Sequence, residues 1–195
     1  MKASSWTRVV KLPGCAGCAF ALAALLGSCG PEPQAPSPTP NPHPHEFTRL
    51  KITVEPGSGV TDIRVESAWI VGNDSCAPHQ PWPSPAPITK QVNVSEKVDK
   101  TGLDEWTATI VGDRFLPDKC KWLDGGYDVK FLQKNLVISS MATEKRNIEQ
   151  AGILKLTCKS QEIQPFPPVC FMRSQEAFFK AKHYKIFNAT MEIVK

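Results

Sequence analysis

The chain has 195 residues, enough for one domain with appendages, and a formal net charge of +4. Lys2, Arg8 and Lys11 are the only charges in residues 1–28, so this leader carries +3 and the rest holds 20 basic against 19 acidic side chains. A body this close to neutrality offers no electrostatic footprint for nucleic acid, and that class of partner is excluded.

The leader opens with basic residues 1–11 and continues into an apolar run over residues 15–26. Twelve apolar residues fall short of the roughly 20 that cross a hydrocarbon core, but suit the apolar part of a secretory signal. The run closes on Leu26-Gly27-Ser28-Cys29. This tetrad resembles the lipobox of bacterial lipoproteins, in which a leucine and two small residues precede a lipidated cysteine. The resemblance implies that residues 1–28 are removed as a signal peptide, that the Cys29 thiol receives diacylglycerol, and that the new amine is acylated. Each buried methylene contributes about 0.8 kcal/mol, so two or more chains anchor stably where one does not. The rival box Leu12-Pro13-Gly14-Cys15 lacks a preceding apolar run, and Cys15-x-x-Cys18 lies in the segment that is discarded. Gly30 stands where, in Gram-negative lipoproteins, an aspartate favours retention in the inner membrane. The resemblance therefore implies the outer membrane in such a host, and the outer face of the plasma membrane in a Gram-positive one.

Residues 31–45 hold seven prolines in fifteen positions. Proline fixes φ and removes a donor, so residues 29–45 are read as the lipidated Cys29 followed by an extended polyproline spacer. At about 3.1 Å per residue the tract reaches roughly 45 Å. His43 and His45 have no cysteine or carboxylate cluster near them in sequence and are not read as a metal site.

Residues 46–195 form the expected domain. Leu50, Ile52 and Val54 alternate with polar neighbours, as do Ile63, Val65 and Trp69. Val92, Val94 and Val98 follow with Glu96 interrupting, then Trp106, Ala108 and Ile110, then Tyr127, Val129 and Phe131. Leu136 and Ile138, Leu154, Leu156 and Cys158, and finally Phe187, Ala189, Met191 and Ile193 complete eight runs. A period of two predicts half-buried strands. Turn signals separate them at Pro56-Gly57, Lys100-Thr101-Gly102, Gly125-Gly126 and Asn135. Residues 143–150 and 174–183 are the only stretches with helical character. The expected fold is all-β, an antiparallel two-sheet sandwich of immunoglobulin-like or transthyretin-like kind with about eight strands, a small barrel being the alternative.

Cys76, Cys120, Cys158 and Cys170 remain after processing. An even count in an exported chain predicts disulfides, with three pairings open. Cys158–Cys170 is favoured because it staples the proline-rich turn at residues 164–168, and Cys76–Cys120 because it pins a long loop. Zinc is disfavoured because no two of the four stand two to four residues apart. Residues 113–131, with Phe115-Leu116-Pro117 before Cys120-Lys121-Trp122, resemble a pattern in uncharacterised proteobacterial lipoproteins that pair it with an upstream Cys-x-Pro, here Cys76-Ala77-Pro78. That resemblance implies a disulfide-pinned sandwich and carries no chemistry.

Only His79 and His183 lie in the domain, and no nucleophile elbow, phosphate loop or His-Glu-x-x-His motif occurs. Adjacent Asp104 and Glu105 read as solvated surface. The expectation is a non-enzymatic envelope lipoprotein with no cofactor beyond the covalent lipid on Cys29. Residues 72–91 form a long aperiodic connection in which Pro81, Trp82 and Pro83 are the candidate binding loop. Trp82 either anchors a partner there or folds back onto the sandwich. Trp69, Trp106 and Trp122 fall on or beside strands and are expected in the core. The expected partners are the membrane, through the anchor, and an envelope protein. Alternatives are a glycan or small ligand, or a lysozyme or toxin that the domain inhibits.

Overall fold

The computed structural model describes residues 37–77, 91–160, 169–172, 177 and 185–194. The strands among them are β1 (Phe47–Val54), β2 (Asp62–Val71), β3 (Gln91–Ser95), β4 (Lys97–Lys100), β5 (Glu105–Val111), β6 (Trp122–Gln133), β7 (Leu136–Thr143), β8 (Ile153–Lys159), β9 (Cys170–Met172) and β10 (Ile186–Val194). They form a six-stranded sheet in the order β4-β5-β1-β10-β8-β9 and a four-stranded sheet in the order β3-β2-β6-β7. Every pairing is antiparallel. The expected two-sheet sandwich is present.

Alternation explains the layers. Leu50, Ile52 and Val54 of β1, Trp106, Ala108 and Ile110 of β5, and Phe187, Ala189 and Met191 of β10 are buried from the large sheet. Ile63 and Val65 of β2 with Tyr127, Val129 and Phe131 of β6 join them from the small sheet in one cluster. Phe131 and Phe187 meet edge to face at 5.5 Å, a favoured aromatic geometry. A helix, α1 (Lys145–Ala151), follows β7 and buries Ile148 completely in the same cluster. It ends at Gly152, whose φ of 66° suits glycine. The second expected helical stretch, 174–183, lies outside the described residues except Ala177.

The eight expected runs become ten strands at two places. Cys170–Met172 adds a short edge strand to β8. The other change is at Glu96, where the run Val92 to Val98 divides. Residues before it pair with β2 in the small sheet, and residues after it pair with β5 in the large one. One edge segment thus passes from sheet to sheet, and the residue that broke the alternation marks the crossing.

The hairpin at Asn135 is as expected. Lys134 and Asn135 have φ of 48° and 69° between paired Gln133 and Leu136, matching a two-residue turn with both central residues left-handed. Gly125-Gly126 is a correction: it is not a turn but lies inside β6, opposite the register shift between Ala68 and Trp69. Gly126 has φ of 113°, and a Cβ there would stand 2.5 Å from the Thr143 carbonyl oxygen. Glycine therefore serves a bulge and a close backbone approach rather than a chain reversal.

Both expected disulfides are present. Cys158 and Cys170 face each other across β8 and β9, and Cys76 joins Cys120 across 44 residues of sequence.

Candidate functional site

Cys29 and the loop residues Pro81, Trp82 and Pro83 lie outside the described residues, as do His79 and His183. The structure does describe where that loop is rooted. β2 ends at Val71 and β3 begins at Gln91 beside Ile70, so both roots stand at one end of the sandwich.

A second hydrophobic cluster occupies this end, separate from the main core. Trp69, Cys120 and Trp122 are buried in it, with Val71, Cys76, Val92, Val94 and Phe115 packed against them. Phe115 stands edge-on to Trp69 at 5.1 Å and tilted to Trp122 at 6.3 Å. The expected burial of Trp69, Trp106 and Trp122 is observed, but two of the three belong to this satellite.

The backbone around the cystine is held by short polar links. Asn73 caps the 3-10 turn Asp74–Cys76 by accepting from the Ser75 N–H, and donates through Nδ2 to the Lys119 carbonyl at 2.7 Å. The Asp118 carboxylate accepts the Cys120 N–H at 2.8 Å and the Lys121 N–H at 3.2 Å. These links let Lys121 adopt φ of 50° just before β6.

A buried polar chain separates satellite from main core. Glu96 has a side chain only 1% exposed and pairs with the Arg114 guanidinium. Ser67 donates to Glu96 at 2.5 Å, and the Trp69 indole N–H donates to Ser67 at 3.2 Å. A charge removed from water needs a partner and further hydrogen bonds, and Glu96 has both. Sequence reasoning missed Glu96 and Arg114 as a pair. The available signal was Glu96 at an inward-alternating position.

Residues 39–45, read from sequence as the last part of the spacer, and Glu46, the first residue of the expected domain, hydrogen-bond along residues 112–116. The Asp113 carboxylate accepts the His45 and Glu46 N–H groups at 2.9 and 3.1 Å and contacts His45 Nδ1 at 2.8 Å. Burial pushes the Asp113 carboxyl up, yet the donated N–H groups of His45 and Glu46 and the neighbouring His45 ring leave it below the usual carboxylate range.

Two surface concavities lie elsewhere. On the outer face of the small sheet, a depression of about 220 Å³ has Ala68, Gly125 and Gly126 at its floor and Gln91, Asn93 and Asp128 at its rim. Glu66, also on the rim, and Asp128 both engage Lys130, at 2.7 and 3.5 Å, and the bond to Glu66 raises the Lys130 pKa above its ordinary value. Another hollow of about 240 Å³ lies over Thr53, Lys155, Asn188 and Thr190 on the large sheet. Tyr127 reaches the Asp124 carboxylate at 3.4 Å; burial, then that carboxylate, raises its pKa. Glu105, one of the adjacent acids, is taken up by Lys51 at 2.8 Å, which lowers its pKa.

Among the described residues no three His, Cys, Asp or Glu side chains gather as metal ligands, and no helix is long and apolar enough to cross a membrane. No protein-family model, curated protein or solved structure matches the chain.

Proposed function

We propose that the protein is a lipid-anchored envelope lipoprotein, without enzymatic activity, that binds another protein through the end of its sandwich carrying the Trp82 loop. In a Gram-negative host the anchor is in the outer membrane. The lipobox Leu26-Gly27-Ser28-Cys29 supports the anchor. The observation that carries the binding reading is the rooting of a proline-rich loop on a separate, disulfide-pinned aromatic cluster. Holding one root by the cystine and the other by pairing with β2 lowers the conformational entropy that a partner would otherwise have to remove.

Two measurements test the two halves. Intact-mass analysis of membrane-extracted protein should show a chain starting at Cys29 with added acyl mass; a chain without lipid removes the anchor. Cross-linking in intact cells should trap an envelope protein with the wild type and much less of it with Trp82→Ala. Equal trapping by both, or none by either, removes the loop.

A second reading is a glycan-binding module, favoured by the polar-rimmed depression over Gly125 and Gly126. Peptidoglycan fragments that shift the amide resonances of Gly125 and Gly126 would support it. An inhibitor of a lysozyme or toxin is a special case of the first reading, tested by residual activity of that enzyme in the presence of the domain.

A further inference from the structure

We propose that residues 39–46 are a strap that fixes where the chain leaves the sandwich and how far the sandwich stands from its membrane. The inference rests on the lipid-anchor reading above.

The proline pattern fits the strap's hydrogen bonds. Pro40, Pro42 and Pro44 have no N–H, while Asn41, His43 and His45 between them keep theirs. Proline is tolerated in extended chain where the N–H would face away from the ladder. The Asn41 N–H donates to the Arg114 carbonyl at 2.7 Å, and the His45 N–H donates to Asp113 at 2.9 Å. In return the Gly112 N–H donates to Glu46 and the Leu116 N–H to Thr39, at 2.7 and 2.9 Å. Pro40 forms an antiparallel bridge with Phe115. Asn41 Nδ2 adds bonds of 2.8 Å to the Asp113 carbonyl and 3.1 Å to its carboxylate. Asp113 thus gathers donors from three strap residues on a side chain only 16% exposed.

Two consequences follow for the anchored protein. The chain length between Cys29 and the strap is that of residues 29–38, at most about 30 Å at roughly 3.1 Å per residue, and opening the strap would add about 25 Å. The chain also departs beside Phe115, a member of the satellite cluster. That cluster also roots the Trp82 loop, so the strap's exit and the loop lie against the same cluster.

The test uses the lipidated full chain in phosphatidylethanolamine–phosphatidylglycerol bilayers, comparing wild type with Asp113→Ala by neutron reflectometry and amide hydrogen exchange. The Asn41, Gly112 and Leu116 amides should exchange faster by about tenfold or more while β1 and β10 stay protected. The domain should move outward by up to about 25 Å. Asn41→Ala combined with His45→Ala changes only strap side chains and serves if Asp113→Ala fails to fold. Unchanged exchange overturns the clasp, and faster exchange with an unchanged standoff overturns its role in setting distance. A chain that does not bind the bilayer overturns the anchor and the standoff together, and exchange then still decides the clasp.

Discussion

Along the inward face of β2, Ile63 and Val65 enter the main core and Trp69 enters the satellite, with Ser67 between them. On β6 the same division falls between Trp122 and Tyr127, across the Gly125-Gly126 bulge. The main core is filled by both sheets, closed by Ile148 of α1 and crossed by the Cys158–Cys170 cystine, and its extensive apolar burial is its chief support. The satellite has three buried residues, too few to be stable by burial alone, and is fastened by a cystine, a buried ion pair and backbone caps. The contrast shows how a sandwich keeps a stable body while reserving one end for a long loop. The body relies chiefly on extensive apolar burial, with one cystine at its edge, and the end relies more on a few directional links that hold particular loop positions.

The largest test of this contrast compares two phenylalanines. Phe131→Ala in the main core should cost about 4 kcal/mol of unfolding free energy in urea titrations. Phe115→Ala in the half-buried satellite should cost about half as much. Equal losses would mean that the satellite packs its phenylalanine as tightly as the main core does and would break the comparison.

Arg114→Ala leaves the Glu96 carboxylate buried without its counter-charge, which should cost about 3 kcal/mol. Glu96→Gln with Arg114→Met should recover most of that loss, because burying two neutral groups removes the unpaired charge. If the double variant is as unstable as Arg114→Ala, the pair is not the fastening.

Gly126→Ala should destabilise by about 2 kcal/mol, since alanine is strained at this φ and its Cβ meets backbone that cannot move aside. Gly57→Ala shares a positive φ of 79° but meets nothing within 4 Å, so it should cost about 1 kcal/mol. Similar losses at both would remove the close approach as the reason for Gly126.

The smallest effect is a pH dependence at the strap. Asp113 has a folded pKa below its unfolded value, so its contribution is complete above the unfolded value near 3.8 and is lost as pH falls through the folded one. The groups at its carboxylate are the His45 ring, the His45 and Glu46 N–H groups and the Asn41 amide. Acid titration followed by exchange at the Leu116 amide should show an opening that Asp113→Asn has already undergone at neutral pH. An unaltered acid profile in that variant would assign the transition to other carboxylates.

The strand class was legible because alternation is a local property: Leu50, Ile52 and Val54 announce a buried face whatever lies opposite. Both disulfides were legible from cysteine count and the loops they close. The Gly125-Gly126 pair misled because glycine marks both turns and bulges, and only the register with β2 distinguishes them. Glu96 was visible as an interruption, but its meaning depended on β2 and on Arg114, 18 residues away.

What the sequence by itself determined is the period-two body, its cystines and a proline tract unable to form helix. Tertiary structure decided that residues 39–45 hydrogen-bond along residues 112–116, that Glu96 crosses between sheets, and that Trp69 and Trp122 share a cluster apart from Trp106. The physical reason is distance along the chain. Alternation and proline geometry act between neighbours, whereas the carboxylate that clasps the strap sits 68 residues from His45 and meets it only once β1 and β5 have paired.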